Sequence, residues 1–486
     1  YICDYYVTYT KYAPGNVPTG ACPAPDMFVD SITDSKVKTH EIRINAPINE
    51  NMSITAGAFM SDLELLEHNM FTYPGAVESD IGWGPNYALT DTSVAGYQAL
   101  LDSDGNLKSK QYAAAGWHSG RGPYMPPVMF VNDIKRTDKQ KGIFGELAID
   151  LSDTVELTVG ARWYDIAVDL EGAANAGFTT GFLGGAEQRD QQRFGTNLSA
   201  AFNKPGVVTG NPFIDELNYP DKAESDGVIG KATLSWNKSD DVMYYVTWSE
   251  GFRPGLLNRP AGQSTPDGSY TVRPVTDSDE VTNYEFGWKT VLQDGRLRFN
   301  GSVFMVDVSG LQTTIFDPSI ANLFFSDNAA DADITGLEGD FIYYPNIEGL
   351  MISGAFSLLD TEIKKSLTTS DVVAGRDLAF APGMQANVAA RYEWGMSSGN
   401  LGHIQGQLIA SDKSYSDIIE PNKAKQDSYS YANVRAGISN DGWVAEIYID
   451  NITDERAEIS NNYVFDRQRV AVIRPMTIGL RFKVNF

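Results

Sequence analysis

Over residues 475–486, Met476, Ile478, Leu480, Phe482, Val484 and Phe486 alternate with Thr477, Gly479, Arg481, Lys483 and Asn485. A period of two predicts a strand with one apolar and one polar face. The habit recurs along the chain. Ile143, Leu147, Ile149 and Leu151 oppose Phe144, Glu146, Ala148 and Asp150, and Val155, Leu157, Val159, Ala161 and Trp163 oppose Glu156, Thr158, Gly160 and Arg162. Tyr284, Phe286 and Trp288 oppose Asn283, Glu285 and Lys289; Leu297, Phe299, Val303 and Met305 oppose Arg298, Asn300 and Ser302. Ala386, Val388, Ala390, Tyr392 and Trp394 oppose Gln385, Asn387, Arg391 and Glu393, while Ala432, Val434, Ala436 and Ile438 oppose Asn433 and Arg435. Many strands of about 10 residues with charges on the polar face fit a transmembrane barrel with a wet lumen.

A soluble sandwich alternates as well, so the connections decide between the two. Short turns are predicted at 47–52, 152–153, 238–241, 293–295, 345–349, 396–400 and 440–442, mostly with the Gly, Asn, Asp and Ser of tight hairpins. Long connections are predicted at 11–37, 67–136, 169–225, 252–278, 312–332, 364–381, 414–427 and 453–474. Short on one side and long on the other is the asymmetry of periplasmic turns against extracellular loops in a bacterial outer-membrane barrel. The pairing predicts about 16 strands, the first around residues 1–10 rising toward the long-loop side. The chain begins at Tyr1 without a visible signal peptide, so its start is expected to be processed or truncated.

Composition sharpens the class. With 45 Gly, 24 Tyr, 23 Phe and 8 Trp, the chain favours β structure. Its mean hydropathy of −0.26 and lack of any apolar run near 20 residues exclude a helical membrane protein. A formal charge of −25 repels phosphates and excludes nucleic acid as a partner. Cys3 and Cys22 could form a loop-stapling disulfide in an oxidising compartment or remain independent thiols. His40, His68, His118 and His403 are scattered, with no metal-ligand spacing, and no nucleophile elbow or phosphate loop is present. Asp102-Ser103-Asp104-Gly105-Asn106 lacks the distal glutamate of a calcium loop and reads as a solvated turn. No catalysis, cofactor or metal is expected.

Several segments resemble TonB-dependent outer-membrane receptors from about residue 38 onward. They include Thr39-His40-Glu41-Ile42-Arg43-Ile44 with 54–59, and Phe144-Gly145-Glu146-Leu147 leading through 157–163. Tyr244-Tyr245-Val246-Thr247-Trp248-Ser249-Glu250-Gly251-Phe252-Arg253-Pro254-Gly255 is the most telling. Asn283-Tyr284-Glu285-Phe286-Gly287-Trp288-Lys289 and Ile449-Asp450-Asn451-Ile452-Thr453-Asp454-Glu455-Arg456 follow suit. The resemblance implies a barrel of about 22 strands, plugged by an N-terminal domain that engages the TonB energy-transducing complex. Residues 1–486 are therefore expected to be a partial barrel lacking the plug and about six first strands, because open sheet edges are not tolerated in lipid. Completion by an N-terminal portion or a second chain is expected; the alternative is self-closure.

The implied function is binding of a scarce solute, such as a siderophore, cobalamin or an oligosaccharide, by extracellular loops, followed by TonB-dependent import. A passive porin-like channel or a structural attachment barrel is the alternative. Candidate ligand-binding residues are Trp83, Tyr87, Tyr97, Trp117, His118, Arg121 and Tyr124, where aromatics offer contact area and Arg121 could grip an anion. The alternative, which the residues favour, is that they merely pack the long loop upon itself. Arg253 is read as a loop-base anchor or a lumen contact. Arg162, Lys231, Lys289, Arg298, Arg391, Arg435, Arg481 and Lys483 are expected to face the lumen and a plug, and Phe486 to act as an assembly signal or a lipid-facing end.

Overall fold

A computed structural model describes residues 28–72, 128–176, 222–258, 268–315, 324–368, 371–464 and 467–484. Hairpins build it: β1 (Phe28–Asn49) with β2 (Met52–Thr72), β3 (Val128–Ser152) with β4 (Val155–Ala176), and β5 (Lys222–Ser239) with β6 (Val242–Arg253). Next come β7 (Asp279–Leu292), β8 (Leu297–Ile315), β9 (Phe325–Tyr343), β10 (Leu350–Ser366), β11 (Met384–Gly395) and β12 (Leu401–Ser411). Short β13 (Ser414–Tyr415) and β14 (Lys425–Gln426) flank a 3-10 turn, Glu420–Asn422. The wall resumes as β15 (Tyr429–Ser439) and β16 (Trp443–Asp450), and ends with β19 (Thr477–Val484) after the loop hairpin β17 (Glu458–Val464) and β18 (Arg467–Val472).

The wall is one 15-stranded antiparallel meander, β1 through β12 followed by β15, β16 and β19. The predicted first strand, near 1–10, lies outside the described residues, as do Cys3, Cys22 and Phe486. Every predicted short turn falls between two successive strands of this sheet. The turn at 345–349 needs its glycine: Gly349 has φ +81°, and a Cβ there would stand 1.9 Å from the Glu393 carbonyl oxygen.

The predicted long connections are too wide, and this is a correction. β1 to β4 run 22, 21, 25 and 22 residues, taking in the ends of 11–37, 67–136 and 169–225. A bilayer crossing needs only ~9–11 residues. The surplus is invisible to hydrophobic periodicity because Asp62, Glu64, Lys135 and Lys139 replace apolar residues on the face that carries Ile143. Backbone pairing nonetheless continues without a register shift from Ile149 up to Phe130.

Register assigns every strand an apolar and a polar face. One apolar row passes from Val159 to Ala232, Trp248, Tyr284 and Met305 on successive strands. This face is exposed, with Ile42 at 68%, Ile143 at 61% and Leu480 at 83%, the inverse of a water-soluble protein. Near the short turns it ends in a girdle of tilted aromatic pairs: Trp236–Tyr244 at 5.8 Å, Trp288–Phe299 at 5.6 Å and Trp443–Phe482 at 6.3 Å. Such rings sit at a membrane interface, apolar body inward and polar edge to water.

Candidate functional site

At the long-loop end, chain segments fold back onto the polar face of β8 to β10. Val272, Ile315, Phe325, Ala329, Ala330, Ile363, Val372, Ile418 and Ile419 form a buried cluster there, backed by Tyr270, Leu311, Leu378 and Ala379. Strands and loops share this core, so the loops are held rigidly at their roots. A smaller cluster joins Tyr164, Ile166, Val168 and Ala223 to Phe252, Leu257 and Val275, with Tyr164 and Phe252 stacked at 3.7 Å.

Buried side-chain amides stitch the loop backbones together. Asn258 donates to the carbonyls of Arg273 (2.9 Å) and Ser326 (2.7 Å), and its oxygen accepts from the Ser326 N–H at 2.7 Å. Asn328 donates to the carbonyls of Asp277 (3.0 Å) and Gly310 (2.7 Å), and its oxygen accepts from the Asp277 N–H at 2.8 Å. Gln312 donates to the carbonyls of Pro254 (3.0 Å) and Asp277 (2.8 Å). These residues satisfy backbone groups that burial would otherwise leave unpaired.

Arg253 sits at the foot of this framework. Its guanidinium pairs with Asp279, only 1% exposed, through Nε at 2.8 Å and also through Nη2. The same carboxylate accepts from the Arg253 N–H at 3.1 Å and the Gln312 N–H at 3.2 Å. Arg253 also donates to the Gln312 carbonyl at 3.0 Å, yet its side chain stays 57% exposed. It is thus a strut with one open side.

Tyr270 donates to Asp327 at 2.5 Å. Burial, then that hydrogen bond, raise the phenol well above its ordinary 10.0. The sign follows from linkage: a raised folded-state pKa leaves loop stability intact below pH 10.0 and erodes it as pH climbs above that value. Near-ultraviolet absorbance during alkaline titration should show this tyrosine ionising late, with the loops loosening as it does. Tyr270→Phe should remove that transition; an unchanged alkaline transition would contradict the assignment.

Lower on the polar face, register places Arg162, Lys231, Lys289, Arg298, Arg391, Arg435, Arg481 and Lys483 together on the side opposite the apolar band. Lys231 pairs with Glu146, Arg298 with Asp340 at 3.6 Å, Arg391 with Glu393 at 2.7 Å and Arg435 with Asp450 at 3.5 Å. Arg162 lies 5.8 Å over the Phe59 ring. Such solvated pairs are each worth roughly 0–1 kcal/mol and leave the face available to solute.

Sequence reading missed one pairing here. His403, 2% exposed, meets Glu446 at 3.0 Å across Gly437, where a Cβ would come within 2.7 Å of the imidazole Cε1. The strand register that brings them together, His403 to Gly437 and Gly437 to Glu446, joins residues far apart in sequence. The aromatic loop candidates Trp83, Tyr87, Tyr97, Trp117, His118, Arg121 and Tyr124 lie outside the described residues. Of the predicted ligand-binding group, only Arg253 is placed.

The family model described as TonB dependent receptor-like, beta-barrel, matches residues 33–452. The pesticin receptor of Yersinia pestis is 22% identical over 294 residues, covering 58% of this chain and 39% of the relative. Among solved structures, the ferric yersiniabactin uptake receptor FyuA from Yersinia pestis aligns with a TM-score of 0.65 at 13% identity, over 96% of this chain and 56% of that one. The siderophore receptor PiuA from Acinetobacter baumannii aligns with a TM-score of 0.59 at 15% identity, over 93% and 56%. The ferric citrate transporter FecA gives 0.59 at 13% identity, over 95% and 56%. The chain therefore spans about half the length of these solved structures, and less of the curated relative.

Proposed function

Because the chain belongs to the TonB-dependent receptor-like β-barrel family, we propose that it is the wall of a receptor that captures a scarce, bulky solute outside the cell and imports it by energy-coupled transport. As a member of that family it is an integral outer-membrane barrel and not an enzyme. The observation that carries the transport reading is the amide-stitched loop framework rooted on the polar face. Rigid loop roots above a wide polar wall hold binding groups in place before solute arrives, which lowers the ordering cost of capture.

The solute class we favour is a ferric siderophore, since the relatives include a ferric yersiniabactin uptake receptor and a ferric citrate transporter. Under this reading the open side of Arg253 and the aromatic stretch from Trp83 to Tyr124 meet the chelate, with Arg121 opposing its negative charge. The polar-face cations, from Arg162 to Lys483, would line the route and contact an N-terminal plug. That plug would pass the pull of the TonB complex to the bound solute. Phe486 would serve barrel assembly.

Uptake by cells that make the full-length protein tests this. Radioiron-loaded yersiniabactin and ferric citrate would be offered with and without a protonophore, and in cells lacking TonB. Accumulation of at least one chelate that stops under both conditions is the expected result. Equilibration indifferent to both would replace import with a passive pore.

A further inference from the structure

Given the receptor function proposed above, on which this rests, we infer that Phe380 is a stacking seat for an aryl group of the solute, such as the phenolate or catecholate ring of an iron chelate. Two local features conflict at this residue. Phe380 is a bulky side chain on a left-handed backbone, at φ +52°, where glycine, asparagine and aspartate are the usual occupants. Its ring gains little in return, because it is 51% exposed. A position that costs backbone strain and leaves an apolar ring in solvent does not serve folding. Such positions concentrate at binding sites.

The surroundings hold this knuckle still and turn it inward. The chain leading into β11 runs beside β10, with the Leu359 N–H donating to the Gly383 carbonyl at 3.0 Å and the Ile363 N–H to the Arg376 carbonyl at 2.8 Å. Between these anchors it spends more residues than β10 does, and it bulges. The Leu378 N–H donates to Thr361 Oγ1 at 3.0 Å. Thr361 and Ile363 alternate with the exposed Leu358 along β10 and so lie on its polar face, where Leu378 and Ala379 pack against the loop-root cluster. Phe380 comes next, and its N–H donates to the Tyr415 carbonyl at 2.7 Å. The ring thus stands on the inner side of the wall, beside the loop framework, where arriving solute passes and lipid does not.

The setting selects the ligand. The carbonyl that fixes Phe380 belongs to β13, where the Tyr415 ring is itself capped by the Lys423 ammonium at 4.5 Å. Further down the same inner face, Tyr429 and Tyr431 of β15 stack at 6.3 Å, so more aromatic surface lies along the path. The open face of a fixed phenyl ring offers no hydrogen-bond donor and no charge. It recognises a flat, π-bearing group by offset stacking. Being held still beforehand, it loses little freedom on capture. A ring-free chelate such as ferric citrate has nothing to lay on it, so Phe380 sets a preference between chelates rather than an affinity for iron.

Equilibrium dialysis of the full protein, purified from outer membranes, tests the seat with two probes: the iron complex of catechol, which carries aryl rings, and ferric citrate, which carries none. Phe380→Ala and Phe380→Gly should each bind the aryl chelate about tenfold more weakly than the parent, and ferric citrate as the parent does. Phe380→Trp should keep the aryl affinity. Urea unfolding in vesicles separates a seat from a packing ring. Phe380→Gly relaxes the left-handed backbone, so its unfolding midpoint should rise above the parent's even as aryl binding falls. A lower midpoint for Phe380→Gly, equal aryl affinity in parent and Phe380→Gly, an equal loss for ferric citrate, or no aryl binding by the parent would each overturn the seat. Aryl-selective binding through Phe380 together with uptake indifferent to a protonophore would instead sink energy-coupled import and leave the seat standing.

Discussion

Replacing Asp279 with alanine should weaken binding of a ferric chelate on the order of a hundredfold and destabilise the loop framework by about 3 kcal/mol. Asp279 is 1% exposed and accepts from the Arg253 guanidinium, the Arg253 N–H and the Gln312 N–H. Its loss orphans the Arg253 and the buried Gln312 backbone donors and frees Arg253 from the only carboxylate its ion pair reaches among the described residues. Gln312 then loses the geometry with which it holds the Pro254 and Asp277 carbonyls, and the loop roots loosen together. Asp279→Asn should recover part of the stability, since an amide oxygen still accepts, but not the ion pair. Urea unfolding in vesicles reads the first effect, and fluorescence titration with ferric yersiniabactin or ferric citrate reads the second. Binding by Asp279→Ala at the parental level would show that the framework does not shape the site.

Asn451→Ala should be the most damaging single change outside that framework, at about 3–4 kcal/mol. Asn451 is 3% exposed and closes the connection after β16. Its Nδ2 donates to the carbonyls of Glu455 and Arg474, both at 2.9 Å, and its Oδ1 accepts from the Glu455 N–H at 2.9 Å and the Thr453 hydroxyl at 3.2 Å. Its backbone is left-handed, at φ +53°, which asparagine tolerates and alanine resists. Asn451→Gly would keep the backbone relaxed and lose only the hydrogen bonds, so it should fall short of alanine's cost by about 1 kcal/mol. Equal costs for the two variants would mean that strain contributes nothing here. Folding kinetics in vesicles would also slow if this turn guides the pairing of β16 with β19.

The wall was legible in the sequence because the bilayer imposes a strict rule: one apolar residue in two, interrupted by short polar turns. Each short turn, from 47–52 to 440–442, lies where that rule stops. Above the membrane the rule lapses. Strand pairs such as Glu64 with Thr137 continue the backbone ladder with polar side chains, and no hydrophobic periodicity announces them. The loop framework was equally hidden, because Asn258, Gln312 and Asn328 are ordinary polar residues until three separate segments fold over them. Arg253 could be singled out only through the family-like run that precedes it; its partner Asp279 lies across a long loop. His403 looked isolated for the same reason, since Gly437, the residue that lets it reach Glu446, offers no chemistry of its own.

The unequal strand lengths also set the shape of the entrance. β3 continues for some 35–40 Å beyond the level of Ile143 if it keeps a barrel strand's tilt, whereas β11, β12 and β16 span 12, 11 and 8 residues in all. The described rim is therefore slanted, a parapet on one flank and a low sill on the other. A cargo attached to the solute by a tether, such as an antibiotic conjugate, would be obstructed when the tether leaves over the parapet and free when it leaves over the sill. Conjugates that differ only in their attachment point should then differ in delivery, even when the free solutes bind alike.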